Sequence, residues 1–159
     1  MLKEKRTIKI ILLVLLLITV TVSSLGEELY DAWVICQPGD YINVRMNPSR
    51  KSQIVGYADA GDSILVDGTT KNGYVKCYGI GENGSGWVHN GYVVYDEPKR
   101  VTCTAVVVSR GRLAARKCIK GKVRKWLHNM DELNVFFISE EWCVTNKGFI
   151  KTEHLDFEW

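Results

Sequence analysis

Gly86-Trp87-Val88-His89-Asn90-Gly91-Tyr92-Val93 and Gly148-Phe149-Ile150-Lys151-Thr152-Glu153-His154-Leu155 align without a gap at an offset of 62 residues. Glycine, ring, aliphatic, three polar or small positions and a final ring-aliphatic pair coincide, so the chain repeats itself, and a repeat constrains architecture before any single motif does. Working outward, Asp62-Ser63-Ile64-Leu65-Val66 matches Asp131-Glu132-Leu133-Asn134-Val135 at an offset of 69. Asp40-Tyr41-Ile42-Asn43-Val44-Arg45 matches Gly111-Arg112-Leu113-Ala114-Ala115-Arg116 at 71. The second copy is therefore shorter, mostly in the loop Gly81-Glu82-Asn83-Gly84-Ser85-Gly86. Two modules follow, residues 30–96 and 101–157, joined through Asp96-Glu97-Pro98-Lys99-Arg100.

From Ala32 onward, short β-branched and aromatic runs are broken by Gly, Asn and Asp roughly every eight to twelve residues, the spacing of a small barrel or sandwich. Tyr41-Ile42-Asn43-Val44-Arg45 ends at Asn47-Pro48-Ser49, and Ser63-Ile64-Leu65-Val66 follows Ala60-Gly61-Asp62. Asn72-Gly73 before Tyr74-Val75-Lys76-Cys77 is a hairpin signal, because such turns need residues that tolerate positive φ. The expected fold class is all-β with almost no helix beyond turns near Lys120 to Met130.

The order Asn43-Val44-Arg45, Asn47-Pro48-Ser49, Ile54-Val55-Gly56, Gly61-Asp62-Ser63-Ile64, Gly73-Tyr74-Val75-Lys76 and Gly86-Trp87-Val88-His89 with Tyr92-Val93 resembles the bacterial SH3-like (SH3b) domain over residues 40–94. The second copy keeps the ends of this pattern and lacks the Pro-Ser pair and the glycine turns. The resemblance implies two small SH3-like half-open barrels in tandem, exported, serving as binding modules without catalysis.

Ahead of the modules, Lys3, Lys5, Arg6 and Lys9 precede the uncharged run Ile10 to Val22 and the small residues Ser23, Ser24 and Gly26. That is the order of a secretory signal. Thirteen residues of helix reach roughly 20 Å, short of the roughly 30 Å hydrocarbon core, which favours a cleaved signal over residues 1–26, with Ser24/Leu25 and Gly26/Glu27 as candidate bonds. Residues 7–25, with one cation, also suit an uncleaved hydrophobic helix that anchors the chain in a membrane. Either way the remainder is expected outside the cytoplasm. The formal net charge of +3 is set by this leader; residues 27–159 hold 17 basic and 17 acidic side chains, so no nucleic-acid partner is expected. Within that neutral remainder, residues 27–97 carry 5 basic and 10 acidic side chains and residues 98–159 carry 12 and 7.

Tyr41, Asn47, Tyr74 and Tyr92 are candidate ligand-binding residues, since tyrosine offers an apolar face with a polar tip. Trp87 and its counterpart Phe149 suit either a groove floor or a core ring. Arg45 and Arg116, at equivalent places, are expected to tie neighbouring loops through their planar donors. Lys117, Lys120, Lys122 and Lys125 lie in a cationic run that suits a solvated loop face, a polyanion or the acidic first module. Five cysteines allow one bridge per half, Cys36 with Cys77 and Cys103 with Cys143, or five small buried hydrophobes. The scattered histidines and the lack of a CxxC give no metal-ligand spacing, and no cofactor motif is present. Cys118 or Cys143 with His128 or His154 lacks a third orienting group, so no enzyme is expected. The expected function is recognition of cell-wall glycopeptide or an extracellular protein. The alternative is a membrane-anchored accessory or structural protein whose modules assemble with other subunits.

Overall fold

The alternation at Ile64 and Val66 against Ser63 and Leu65 places one face of each strand inside, and the glycine and asparagine turns fold those strands onto one another. The resulting computed structural model describes residues 28–81 and 84–158. Seven strands, β1 (Tyr30–Val34), β2 (Tyr41–Arg45), β3 (Ile54–Asp59), β4 (Ser63–Lys71), β5 (Tyr74–Tyr78), β6 (Ser85–His89) and β7 (Val93–Val94), form an antiparallel sheet in the order β3-β2-β6-β5-β4-β1-β7. Seven more, β8 (Lys99–Val107), β9 (Leu113–Arg116), β10 (Val123–Leu127), β11 (Glu132–Ile138), β12 (Trp142–Thr145), β13 (Gly148–Lys151) and β14 (Leu155–Glu158), form a second in the order β10-β9-β13-β12-β11-β8-β14. The two orders are the same permutation. Among the described residues no strand pairing joins the two end strands of either sheet, so neither is a closed barrel.

The correspondence extends to single hydrogen bonds. Asp62 Oδ2 accepts from Asp59 N at 2.8 Å and Asp131 Oδ2 from His128 N at 2.9 Å. Gly61 N donates to Val34 O and Met130 N to Val107 O; Ile35 N donates to Tyr92 O and Val108 N to His154 O. A 3-10 turn follows β6 at Asn90–Tyr92 and another follows β13 at Thr152–His154. Met130 even keeps the positive φ of Gly61, 68° against 98°.

Gly86 and Gly148 explain why the aligned segments begin with glycine. There β6 meets β2, and β13 meets β9, through the pairs Trp87 with Arg45 and Phe149 with Arg116. A Cβ on Gly86 would strike Val44 Cγ1, and one on Gly148 would strike the Arg116 carbonyl, at a φ of 130° that side chains avoid.

Each module has its own core. In the first, Val44, Ile64, Val66, Val75 and Val88 are buried together; in the second, Leu113, Leu127, Leu133 and Ile150 are. A third cluster belongs to both: Ile35 and Val94 of the first module pack with Phe137, Trp142, Val144 and Phe149 of the second. Its effect is visible on β12, where all four residues are buried and the alternation of a one-faced strand disappears. A register shift between Val135 and Phe137 on β11 precedes the point where Phe137 joins this cluster, the re-aiming a bulge produces. Gln37 Nε2 donates to Thr145 O at 2.9 Å, Ile119 N to Gly91 O at 2.8 Å, and Glu140 N to Asp96 Oδ2 at 2.7 Å across the same boundary.

Two expectations are modified, and a third is not reached. All five cysteines are free thiols, three of them buried. The imagined bridges were not equivalent: Cys77 pairs with Gly86, whereas Cys143 pairs with Ile150, the counterpart of Val88, so Cys143 stands where the first module has Val75. Turns do stand at Lys120 and at Met130, but β10 occupies Val123–Leu127 between them. The signal or anchor expected over residues 1–26 lies outside the described residues, and among those described no helix is long and apolar enough to cross a membrane.

Candidate functional site

Val44 points into the core of the first module, so its neighbours on β2, Tyr41, Asn43 and Arg45, line the opposite face. The same parity on β6 places His89 on that outer face, and the register sets Tyr74 of β5 beside His89. Tyr92 follows in the 3-10 turn. The rings form a ladder: Tyr74 to His89 at 5.3 Å, His89 to Tyr92 at 5.8 Å, and Tyr92 to Phe149 of the second module at 5.8 Å, all edge to face. Tyr41 is 57% exposed and stacks edge-on against Tyr57 at 4.8 Å.

Above this face lies the turn that links β9 to β10. Lys117 N donates to Lys122 O, and Arg116 Nη1 donates to Gly121 O at 2.9 Å, closing the turn. Arg45 does the same for its own loop, donating to Ser52 O at 2.8 Å; both arginines tie loops, as their planar donors suit them to do. The turn is seated on Gly91, where a Cβ would come within 2.8 Å of Cys118 Sγ. A cavity of about 630 Å³ results, with Tyr41, Tyr74, His89 and Tyr92 on one wall and Lys117, Cys118 and Lys122 on the other. An adjoining hollow of about 470 Å³ shares Tyr41, Tyr92 and Lys117 with it and reaches Asp40 and Arg124.

Three of the five expected ligand-binding residues, Tyr41, Tyr74 and Tyr92, meet in this cavity. Asn47 does not: it shapes the Met46–Ser52 loop, its N–H donating to Ser52 Oγ at 2.9 Å. Trp87 is neither in the core cluster nor on the cavity wall; it lies half-buried on the outer face of β6 between Arg45 and Lys76 in the register. Phe149, its counterpart, is 2% exposed in the inter-module cluster. Of the four lysines, Lys117 and Lys122 line the cavity. Lys120 lines two other hollows, beside Glu141 and Trp142, and Lys125 is exposed on β10. Arg50 and His89 were missed. Only the spatial neighbourhood reveals Arg50, but His89 sits inside the repeated segment itself.

Two groups beside Gly91 are held toward their neutral forms. Burial lowers the His89 imidazole and raises the Cys118 thiol. His89 Nδ1 accepts from Gly91 N at 3.1 Å, which also requires an unprotonated nitrogen. Although Cys118 and His89 both flank Gly91, an activated thiolate needs shifts in the opposite directions. The pairings with His128 or His154 fare no better: His128 is exposed, and Cys143 is buried with its thiol pushed up to about 11 by desolvation. What the cavity presents to a ligand is rings and cations.

No curated protein matches the chain. Among solved structures it is similar to NlpC1 from Trichomonas vaginalis, with 10% identity and a TM-score of 0.37, over 86% of this chain and 49% of that one. NlpC2 from Trichomonas vaginalis gives 11% identity and a TM-score of 0.34, over 84% and 49%. The chain thus spans about half the length of each. In sequence, a model of the bacterial SH3 domain family matches residues 40–94, the stretch that carries the tyrosines of the cavity.

Proposed function

We propose that this chain is an exported, non-catalytic protein of two tandem SH3-like half-open barrels, the second a divergent copy of the first, which holds cell-wall glycopeptide. The observation that carries the reading is the inter-module cavity with Tyr41, Tyr74 and Tyr92 on its wall, within the segment matched by the bacterial SH3 domain family. Tyrosine faces suit sugar rings and extended peptide alike, and their hydroxyls leave polar tips in reach of the ligand. Neutral Cys118 and His89 support a binding role over nucleophilic chemistry. Co-sedimentation of the full chain with purified insoluble peptidoglycan tests the proposal: the chain should pellet with the wall, and Tyr41→Ala, at an exposed position, should reduce the bound fraction while the melting transition stays in place. A chain that stays in the supernatant at every salt concentration would refute wall recognition.

A further inference from the structure

Four cations, Arg45, Arg50, Lys117 and Lys122, line the tyrosine cavity, and no Asp or Glu is among the described residues that do so. Arg45 is committed to Ser52 O through one nitrogen. Arg50, Lys117 and Lys122 are exposed, and among the described residues none of the three makes an ion pair with a carboxylate. This concentration of positive charge runs against the first module's own balance of 5 basic and 10 acidic side chains over residues 27–97. The two lysines come from the second module, and their turn is held on the first by the Ile119 N to Gly91 O bond and by the packing of Cys118 on Gly91.

We infer that the two modules form a single composite site, in which Tyr41 and Tyr92 of the first module stack on the ligand, with buried Tyr74 behind them, while Lys117 and Lys122 of the second bind a free carboxylate on its peptide. The inference rests on the wall-binding reading and narrows it to glycopeptides that keep an ionised carboxylate. A tyrosine-lined wall favours a ligand with flat faces over a simple polyanion. The cations then select, among such ligands, the charged over the amidated, because an amide offers no charge to an ammonium. Neither module alone contains the site.

The test is calorimetric titration of the full chain with a soluble disaccharide-peptide, once as the free acid and once with its peptide carboxylates amidated. Amidation should weaken binding roughly two- to fivefold, the range of an exposed charge pair, and the difference should shrink as salt rises. Lys117→Ser/Lys122→Ser should weaken the free acid to the same degree and leave the amidated ligand unaffected. Lys125→Ser, exposed on β10 away from the cavity wall, should change neither. If the free acid and the amide bind alike, or if Lys125→Ser weakens binding as much as the cavity pair, the composite site is wrong while wall recognition stands. If neither ligand binds the intact chain, both readings fall. All these lysines are exposed, so an unchanged melting temperature verifies that the variants are folded.

Discussion

At the scale of single residues, the cysteines are governed by burial. Desolvation, aided by Asp40, Asp59 and Asp62, pushes the Cys36 thiol up to about 12, and desolvation pushes Cys77 and Cys143 up to about 11. The thiolate is the reactive species, so brief alkylation of the native chain at pH 8 should modify the half-exposed Cys103 and Cys118 first and spare Cys36, Cys77 and Cys143, as read by peptide mass. Rapid labelling of the latter three in folded protein would contradict the packing. The same shifts fix a sign for stability. A folded-state pKa above the unfolded value of 9.0 stabilises fully below pH 9 and is lost as the pH rises through the folded value. Unfolding free energy should therefore fall between about pH 9 and pH 11, and Cys77→Val should flatten part of that decline.

At the scale of elements, the crossing of β6 on β2 and its repeat at β13 on β9 depend on two glycines. Adding a methyl at either would force backbone or core to move, which costs ~1–3 kcal/mol by the usual range for overpacking. Gly86→Ala and Gly148→Ala should each lower stability in denaturant titration, Gly148→Ala more, since its φ is also positive. Gly111→Ala, with nothing within 4 Å of the added carbon, should be neutral. The strands that carry these crossings were legible in the sequence because turn glycines, alternation and aligned ring positions agree there. The correspondence of β1 with β8 was not: it rests on Val34 and Val107 making the same bonds, and two valines at an offset of 73 residues are no signal. β10 was hidden by its charge, since Arg124 and Lys125 are exposed and read as loop. The turn at residues 117–122 was legible as cationic, yet its position over the tyrosines was not, because that depends on Gly91. In the second module Glu153 stands at this place, and the contrast between glycine and glutamate was the available sign that a neighbour packs on one 3-10 turn and not on the other.

At the scale of the molecule, three aromatic residues of the second module serve the contact between modules. Phe137, Trp142 and Phe149 stand apart from their own module's core and pack with Ile35 and Val94, so each module covers apolar surface of the other. Burying a large ring contributes about 1.5–3 kcal/mol, and several rings together should couple the unfolding of the two modules. Calorimetry should show a single transition for the whole chain, whereas Phe137→Ala, a truncation worth ~3–5 kcal/mol in a packed site, should broaden or split it; two transitions in the unaltered chain would show the interface to be too weak to hold the cavity. That cavity is the central claim, and chemical-shift mapping of the full chain with the soluble free-acid disaccharide-peptide tests it most directly. The account predicts shifts at Tyr41, His89 and Tyr92 of the first module together with Lys117, Cys118 and Lys122 of the second; shifts confined to Trp87 and Asn47, or to one module alone, would contradict it.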